Sequence, residues 1–115
     1  MFRGEVWLVN LDPTIGAEIK KTRPAIIVNA DDIGILPLRV VVPLTDWRDR
    51  YDAASWLVKV EPDAKNKIDK ASAADAFQVR SLSQLRFMRK IGELTNEKMR
   101  EIEKALAVTL KITNT

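Results

Sequence analysis

The segment KKTRPAIIVN, Lys20 to Asn29, places three cations, Lys20, Lys21 and Arg23, directly before a proline and a run of strand-forming apolar residues. An arginine guanidinium is a planar fork that can hold two phosphate oxygens at once, so Arg23 is of the type a phosphate site uses. Thr45 closes the segment VVPLT and offers a hydroxyl that can donate to a phosphate oxygen. Each has a plainer alternative. Arg23 also fits a solvated loop, and Thr45 also fits a strand-end hydroxyl bonded to its own backbone. The chain has no histidine and no cysteine. The commonest general base at neutral pH is therefore missing, as are a thiolate nucleophile and a disulfide framework. A zinc site would have carboxylates alone to bind it, so neither a metal nor another cofactor is expected.

The 115 residues fit one domain, 1–115, and 46% of them are apolar, enough for a packed core at this length. The formal charge is +3, from 19 Lys and Arg against 16 Asp and Glu. The resulting pI near 9.3 suits a polyanionic partner without demanding one. No secretory segment opens the chain and no apolar run reaches membrane-spanning length, so a cytoplasmic protein with no membrane partner is expected.

The positioning elements read as short strands followed by one helix. Arg3 to Leu11 alternates and reads as a strand, broken by the turn signal Asp12-Pro13 and by Gly16. A basic loop covers Lys20 to Arg23, and Pro24 opens a second strand. Ala25 to Val28 is apolar throughout, as in a strand buried on both faces. A connection containing Asp31, Asp32, Gly34 and Pro37 leads to a third strand, Arg39 to Leu44. Further strands are expected at Trp56–Val60, Ile68–Ser72, Ala76–Leu82 and Leu85–Ile91, the last ending at Gly92. The period then changes. Thr95 is placed to cap a helix whose face carries Met99, Ile102, Leu106 and Leu110. The expected fold is α+β and mainly β, a strongly curved sheet or small barrel covered by a C-terminal amphipathic helix. If the second and third strands are antiparallel neighbours, Arg23 and Thr45 return to the same rim.

The pieces RGEVWLVNLDPTIGAE, TRPAIIVN, VVPLT, KASAADAFQVRSL and KIGELT occur in this order from Arg3 to about Ile112. Together they resemble the MazF/PemK family of bacterial toxins, sequence-specific endoribonucleases of type II toxin–antitoxin systems with an SH3-like barrel. The resemblance implies that Arg23 and Thr45 fall on the catalytic pair, that Glu18 lies in the loop closing over substrate, and that Gln78 falls on a substrate-contacting position. It also implies a homodimer that lays single-stranded RNA across both subunits. The implied partner is a cognate antitoxin that blocks the groove with an extended tail and joins the toxin in DNA binding. Two positions depart from the family pattern. Ala17 stands where a serine is frequent, and Phe77 where an acidic residue is frequent.

RNA supplies its own nucleophile, the 2′-OH, so such an enzyme needs no metal and yields a 2′,3′-cyclic phosphate and a 5′-OH. Arginine and threonine do not ordinarily exchange protons near neutral pH, so charge stabilisation and positioning are the expected roles of Arg23 and Thr45. Lys20 and Lys21 are expected to supply salt-sensitive attraction to the RNA backbone. Glu18 reads a base edge, orients Arg23 or is a surface carboxylate, and Gln78 either contacts RNA or makes a polar contact in the sheet. Trp7 and Trp56 fit a core or a subunit interface. Trp47, beside Arg48, Arg50 and Tyr51, is the candidate for base stacking. The rival readings are a non-catalytic nucleic-acid-binding barrel and a gyrase poison of the same fold. The latter acts through an aromatic C-terminal end, whereas this chain ends Lys111-Ile112-Thr113-Asn114-Thr115.

Overall fold

The computed structural model describes residues 1–33 and 36–113, so Gly34 of the expected connection and the last two residues of the C-terminal end lie outside the described residues. Seven strands precede one helix: β1 (Glu5–Asn10), β2 (Thr22–Ile27), β3 (Leu38–Asp46), β4 (Leu57–Val60), β5 (Ser72–Asp75), β6 (Arg80–Ser83), β7 (Phe87–Glu93) and α1 (Asn96–Leu110). All pairings are antiparallel, in the order β4-β5-β3-β2-β1-β7, with β6 also on β3. Two register shifts between β1 and β7 give the sheet local bends.

β3 is long enough to serve two partners along one edge. Leu38–Val41 pair with β6, and Leu44–Asp46 pair with β5. Pro43 falls between them, where its missing N–H interrupts neither ladder. The expected strand Ala76–Leu82 is broken for the same reason. The chain leaves β3 at the end of β5 and rejoins it at β6, and the jog is a 3₁₀ turn at Ala76–Gln78. Asp75 caps that turn by accepting from the Phe77 N–H at 3.1 Å.

Other expected boundaries also move. β2 begins at Thr22, so Arg23 lies within a strand rather than a loop, and β3 continues through Thr45 to Asp46. Ile68 is buried outside any strand, and β5 starts at Ser72. The loop around Ile68 is organised by buried Asn66, whose Oδ1 accepts from the Asp63 and Ile68 N–H groups while its Nδ2 donates to Glu61 O. Gly92 lies inside β7 because the backbone of Lys65 and Asn66 passes directly over it.

Strand alternation divides the core. Ile26, Val28, Val42 and Leu44 face α1 with Val6, Met99, Ile102 and Ala105, whereas Ala25, Ile27 and Val41 join Val9, Leu11 and Leu82 on the opposite side. The apolar run Ala25–Val28 is thus buried on both faces, as its composition implies. Thr95 Oγ1 accepts from the Lys98 N–H at 3.1 Å and starts α1. The buried stripe of the helix stops short of its expected end, since Leu110 is 55% exposed. No helix among the described residues is long and apolar enough to cross a membrane.

Buried Glu5 ties the first turn to the sheet. Its Oε1 accepts from Phe2 N–H at 3.0 Å and Trp7 Nε1–H at 2.8 Å, and Lys90 Nζ lies 3.2 Å from Oε2. Burial pushes this carboxyl upward, but the Trp7, Phe2 and Lys90 interactions outweigh it and leave the pKa below the ordinary 4.5. The carboxylate therefore contributes stability above pH 4.5 that is lost as pH falls through the lowered value. Glu5→Gln is expected to cost about 1–2 kcal/mol at neutral pH, measured by urea unfolding. The difference from wild type should narrow in acid. A gap that stays constant down to pH 3 would contradict the ionic role.

Candidate nucleic-acid interface

β2 and β3 bring the two foremost sequence candidates together. The strand pairing ends at Ala25 and Pro43, two residues short of Arg23 and Thr45, and both side chains line one opening beyond it. Alternation keeps Arg23 in step with Ala25 on β2 and Thr45 in step with Val41 on β3. Val9 of β1 flanks Arg23 on its other side, and Thr45 is followed across the sheet by Ala73 and then Lys59. Both candidates are half-buried. Arg23 Nε makes a long 3.4 Å bond to Lys20 O, and the remainder of its fork has no hydrogen-bond partner among the described residues. Asp46, the nearby acid, is engaged by Lys70 Nζ at 2.8 Å. Its carboxyl lies below the usual carboxylate range because of Lys70, with smaller help from Arg23 and Arg48.

The loop before β2 is held open by backbone-directed bonds. Asp12 Oδ1 accepts from Lys21 N–H at 3.0 Å and Thr14 Oγ1–H at 3.2 Å, and Leu11 N–H donates to Lys21 O at 2.9 Å. Lys21 sits in the left-handed region at φ 70°, where the chain swings back into β2. Arg80 donates to Leu11 O, and Arg86 to the carbonyls of Asn10 and Asp12. Gln78 grips the loop from the 3₁₀ turn: its Oε1 accepts from Ile19 N–H at 2.6 Å and its Nε2 donates to Ala17 O at 3.2 Å. Glu18 Oε1 accepts from Ile15 N–H at 2.6 Å, closing its own turn. The side chains of Gln78 and Glu18 thus shape the loop, while Lys20 and Lys21 are exposed beside it.

On the far side of Thr45 an open cavity of about 380 Å³ is lined by Thr45, Arg50, Tyr51, Ala54, Trp56, Leu57 and Asp75. Trp47 is not among them. Its ring meets Tyr51 edge-on at 5.9 Å and 85°, and Lys59 Nζ lies 5.2 Å from its centroid. Arg50 covers the Tyr51 ring at 5.5 Å. Trp56, expected in a core or interface, is 42% exposed in this cavity, whereas Trp7 is partly buried and edge-on to Phe87. Asp75 is a residue that reading the sequence missed. Burial pushes its carboxyl above the usual range, and the Phe77 and Gln78 hydrogen bonds oppose that shift without cancelling it. Its only sequence signal is a lone carboxylate in the apolar stretch AADAF. The opening lined by both Arg23 and Thr45, of about 300 Å³, has Leu8, Pro24, Leu44 and Asp46 beside them.

Residues 2–110 match the profile of PemK-like, MazF-like toxins of type II toxin–antitoxin systems. Endoribonuclease MazF9 of Mycobacterium tuberculosis strain H37Rv is 30% identical over 124 aligned residues, covering 97% of this chain and 98% of that protein. Among solved structures, MazF from Deinococcus radiodurans superposes with a TM-score of 0.80 at 20% identity, covering 97% of each chain. A mycobacterial endoribonuclease in complex with its cognate antitoxin superposes at 0.77 and 21% identity, covering 100% of this chain and 99% of that one. At those identities the superpositions establish the fold, a mainly β curved sheet with one C-terminal helix.

Proposed function

The chain belongs to the PemK-like, MazF-like family of toxins of type II toxin–antitoxin systems, and on that premise we propose that it cleaves single-stranded RNA at Arg23 and Thr45. The observation that carries this reading is that half-buried Arg23 and Thr45, on the neighbouring antiparallel strands β2 and β3, line one opening of about 300 Å³. Arg23 holds the scissile phosphate by two N–H groups and stabilises the negative charge that builds on its oxygens. Thr45 donates to a phosphate oxygen or to the leaving oxygen and fixes the geometry. The 2′-O–P bond forms as the P–O5′ bond breaks. The 2′-OH gives up its proton and the departing O5′ gains one, leaving a 2′,3′-cyclic phosphate and a 5′-OH. The RNA supplies the nucleophile, and the reaction proceeds without metal.

Lys20 and Lys21 add salt-sensitive attraction for the backbone. Gln78 and Glu18 hold the loop over the substrate path, and Trp47 buttresses Tyr51. The protein acts in the cytoplasm as a homodimer, restrained by a separately encoded antitoxin. The mycobacterial complex with a cognate antitoxin supports that last point. The test is direct. Purified protein incubated with single-stranded RNA in excess EDTA should release fragments whose new 5′ ends accept a phosphate from a kinase without prior dephosphorylation. RNA that stays intact while remaining bound would favour the non-catalytic barrel.

A further inference from the structure

RNA laid on Arg23 and Thr45 must put a base somewhere, and the structure offers a place one strand away. Asp75 lies on β5, whose Ala73 is paired with Thr45, so Asp75 is the diagonal neighbour of Thr45 on the same face. Leu57 of β4 is paired with Asp75 on the side away from Thr45 and lines the floor of the same cavity. The cavity over this floor, about 380 Å³, begins at Thr45 itself. Adjacent strands are about 4.8 Å apart, so the cavity lies within the reach of a ribose from a phosphate held at Thr45.

The lining has the chemistry of a base reader. Trp56 presents a 42%-exposed ring, the property a stacking platform requires. Tyr51 is held in place by Trp47 and Arg50, which makes it a rigid wall. Asp75 is fixed by the Phe77 N–H, with Gln78 as a further donor, and presents a carboxylate, which accepts hydrogen bonds and donates none while ionised. We propose that this cavity is a nucleobase subsite next to the scissile phosphate, in which Trp56 stacks on the base and Asp75 accepts from its exocyclic amino group. Guanine, cytosine and adenine carry such a group; uracil does not. Asp75 is then a specificity-determining residue, and the subsite rests on the endoribonuclease reading.

Two variants test it. Asp75→Asn retains an oxygen for the Phe77 N–H but replaces half of the acceptor surface by a donor. Trp56→Ala removes an exposed ring and leaves the strand pairs intact. Both are incubated, beside wild type, with a randomised single-stranded RNA, and the new 5′ ends are sequenced. Wild type should disfavour uracil at one position flanking the cut. Asp75→Asn should erase that preference by about tenfold or more, and Trp56→Ala should raise KM about tenfold with kcat little changed. Uncleavable 2′-deoxy oligonucleotides, scored by fluorescence anisotropy, should show the same base preference in wild type and its loss in Asp75→Asn. A wild type that cuts RNA while Asp75→Asn keeps the identical base profile overturns the subsite. So does an Asp75→Asn variant slowed equally on every sequence. A wild type that binds with the stated preference yet cuts nothing overturns the endoribonuclease reading instead.

Discussion

Arg23→Ala should lower RNA cleavage about a thousandfold while the circular dichroism and the urea midpoint stay near wild type. Among the described residues Arg23 makes one long side-chain bond, to Lys20 O at 3.4 Å, so truncating it leaves little unsatisfied. The loss falls on the transition state, where the phosphate carries more charge than in bound RNA. Removing one oriented donor at such a site costs about a hundredfold to a thousandfold, and an arginine clamp on a reacting phosphate is worth about a thousandfold or more. The drop should appear mainly in kcat. Arg23→Lys should recover little, because an ammonium carries the charge without the planar fork. Thr45→Ala should lose about a hundredfold, and Thr45→Ser should restore most of it by returning the hydroxyl. The salt dependence of binding should barely move in either threonine variant, since no charge is removed. Rates for Arg23→Ala and Thr45→Ala within a few-fold of wild type would dismiss the pair as the catalytic site.

Gly92→Ala is expected to be the most destabilising single-methyl addition in the sheet. A Cβ built at Gly92 would stand 2.3 Å from Asn66 O and 2.6 Å from Lys65 O. Both are backbone atoms, so no rotamer change relieves the clash. The strand cannot easily retreat, because Gly92 is paired with Val6 and the Glu93 N–H donates to Lys65 O at 3.1 Å. Nor can the loop, because buried Asn66 holds it with three side-chain bonds to neighbouring backbone. Overpacking of this kind costs about 3 kcal/mol, a large share of the roughly 5–15 kcal/mol that keeps a domain folded. The urea midpoint should fall with the slope unchanged. An unchanged midpoint would mean that the loop does not lie over β7 in solution.

Several elements were legible from residue types because their signals are local. The all-apolar run Ala25–Val28 implies a strand covered on both sides, and its alternate residues do join two separate cores. Thr95 followed by a period of 3.6 implies a capped helix, and the cap is present. The expectation that Arg23 and Thr45 share a rim needed a single assumption, that their strands are antiparallel neighbours, and β2 and β3 are such neighbours. The expectation failed where a strand's length depends on its partners. Ala76–Leu82 reads as one strand by composition, yet β3 accepts β5 and β6 on one edge, and the chain must turn between them. Gly92 reads as a terminator, yet it permits a loop some twenty-five residues earlier in the chain to cross its strand.

The candidate site divides along the same line. Five sequence pieces in their order carried the family resemblance and singled out Arg23 and Thr45 as candidates, because a fork-shaped cation and a hydroxyl carry their chemistry wherever the chain places them. What surrounds them was decided by the tertiary structure. Gln78 grips the backbone of Ala17 and Ile19, Trp47 braces Tyr51 and lies outside the cavity, and Asp75 and Trp56 reach that cavity together. The physical reason is that period-two alternation tells which residues of a strand share a face but not which strands lie side by side. Cross-strand register, settled by long-range pairing and close backbone approach, turns a lone carboxylate and a half-exposed indole into neighbours of Thr45.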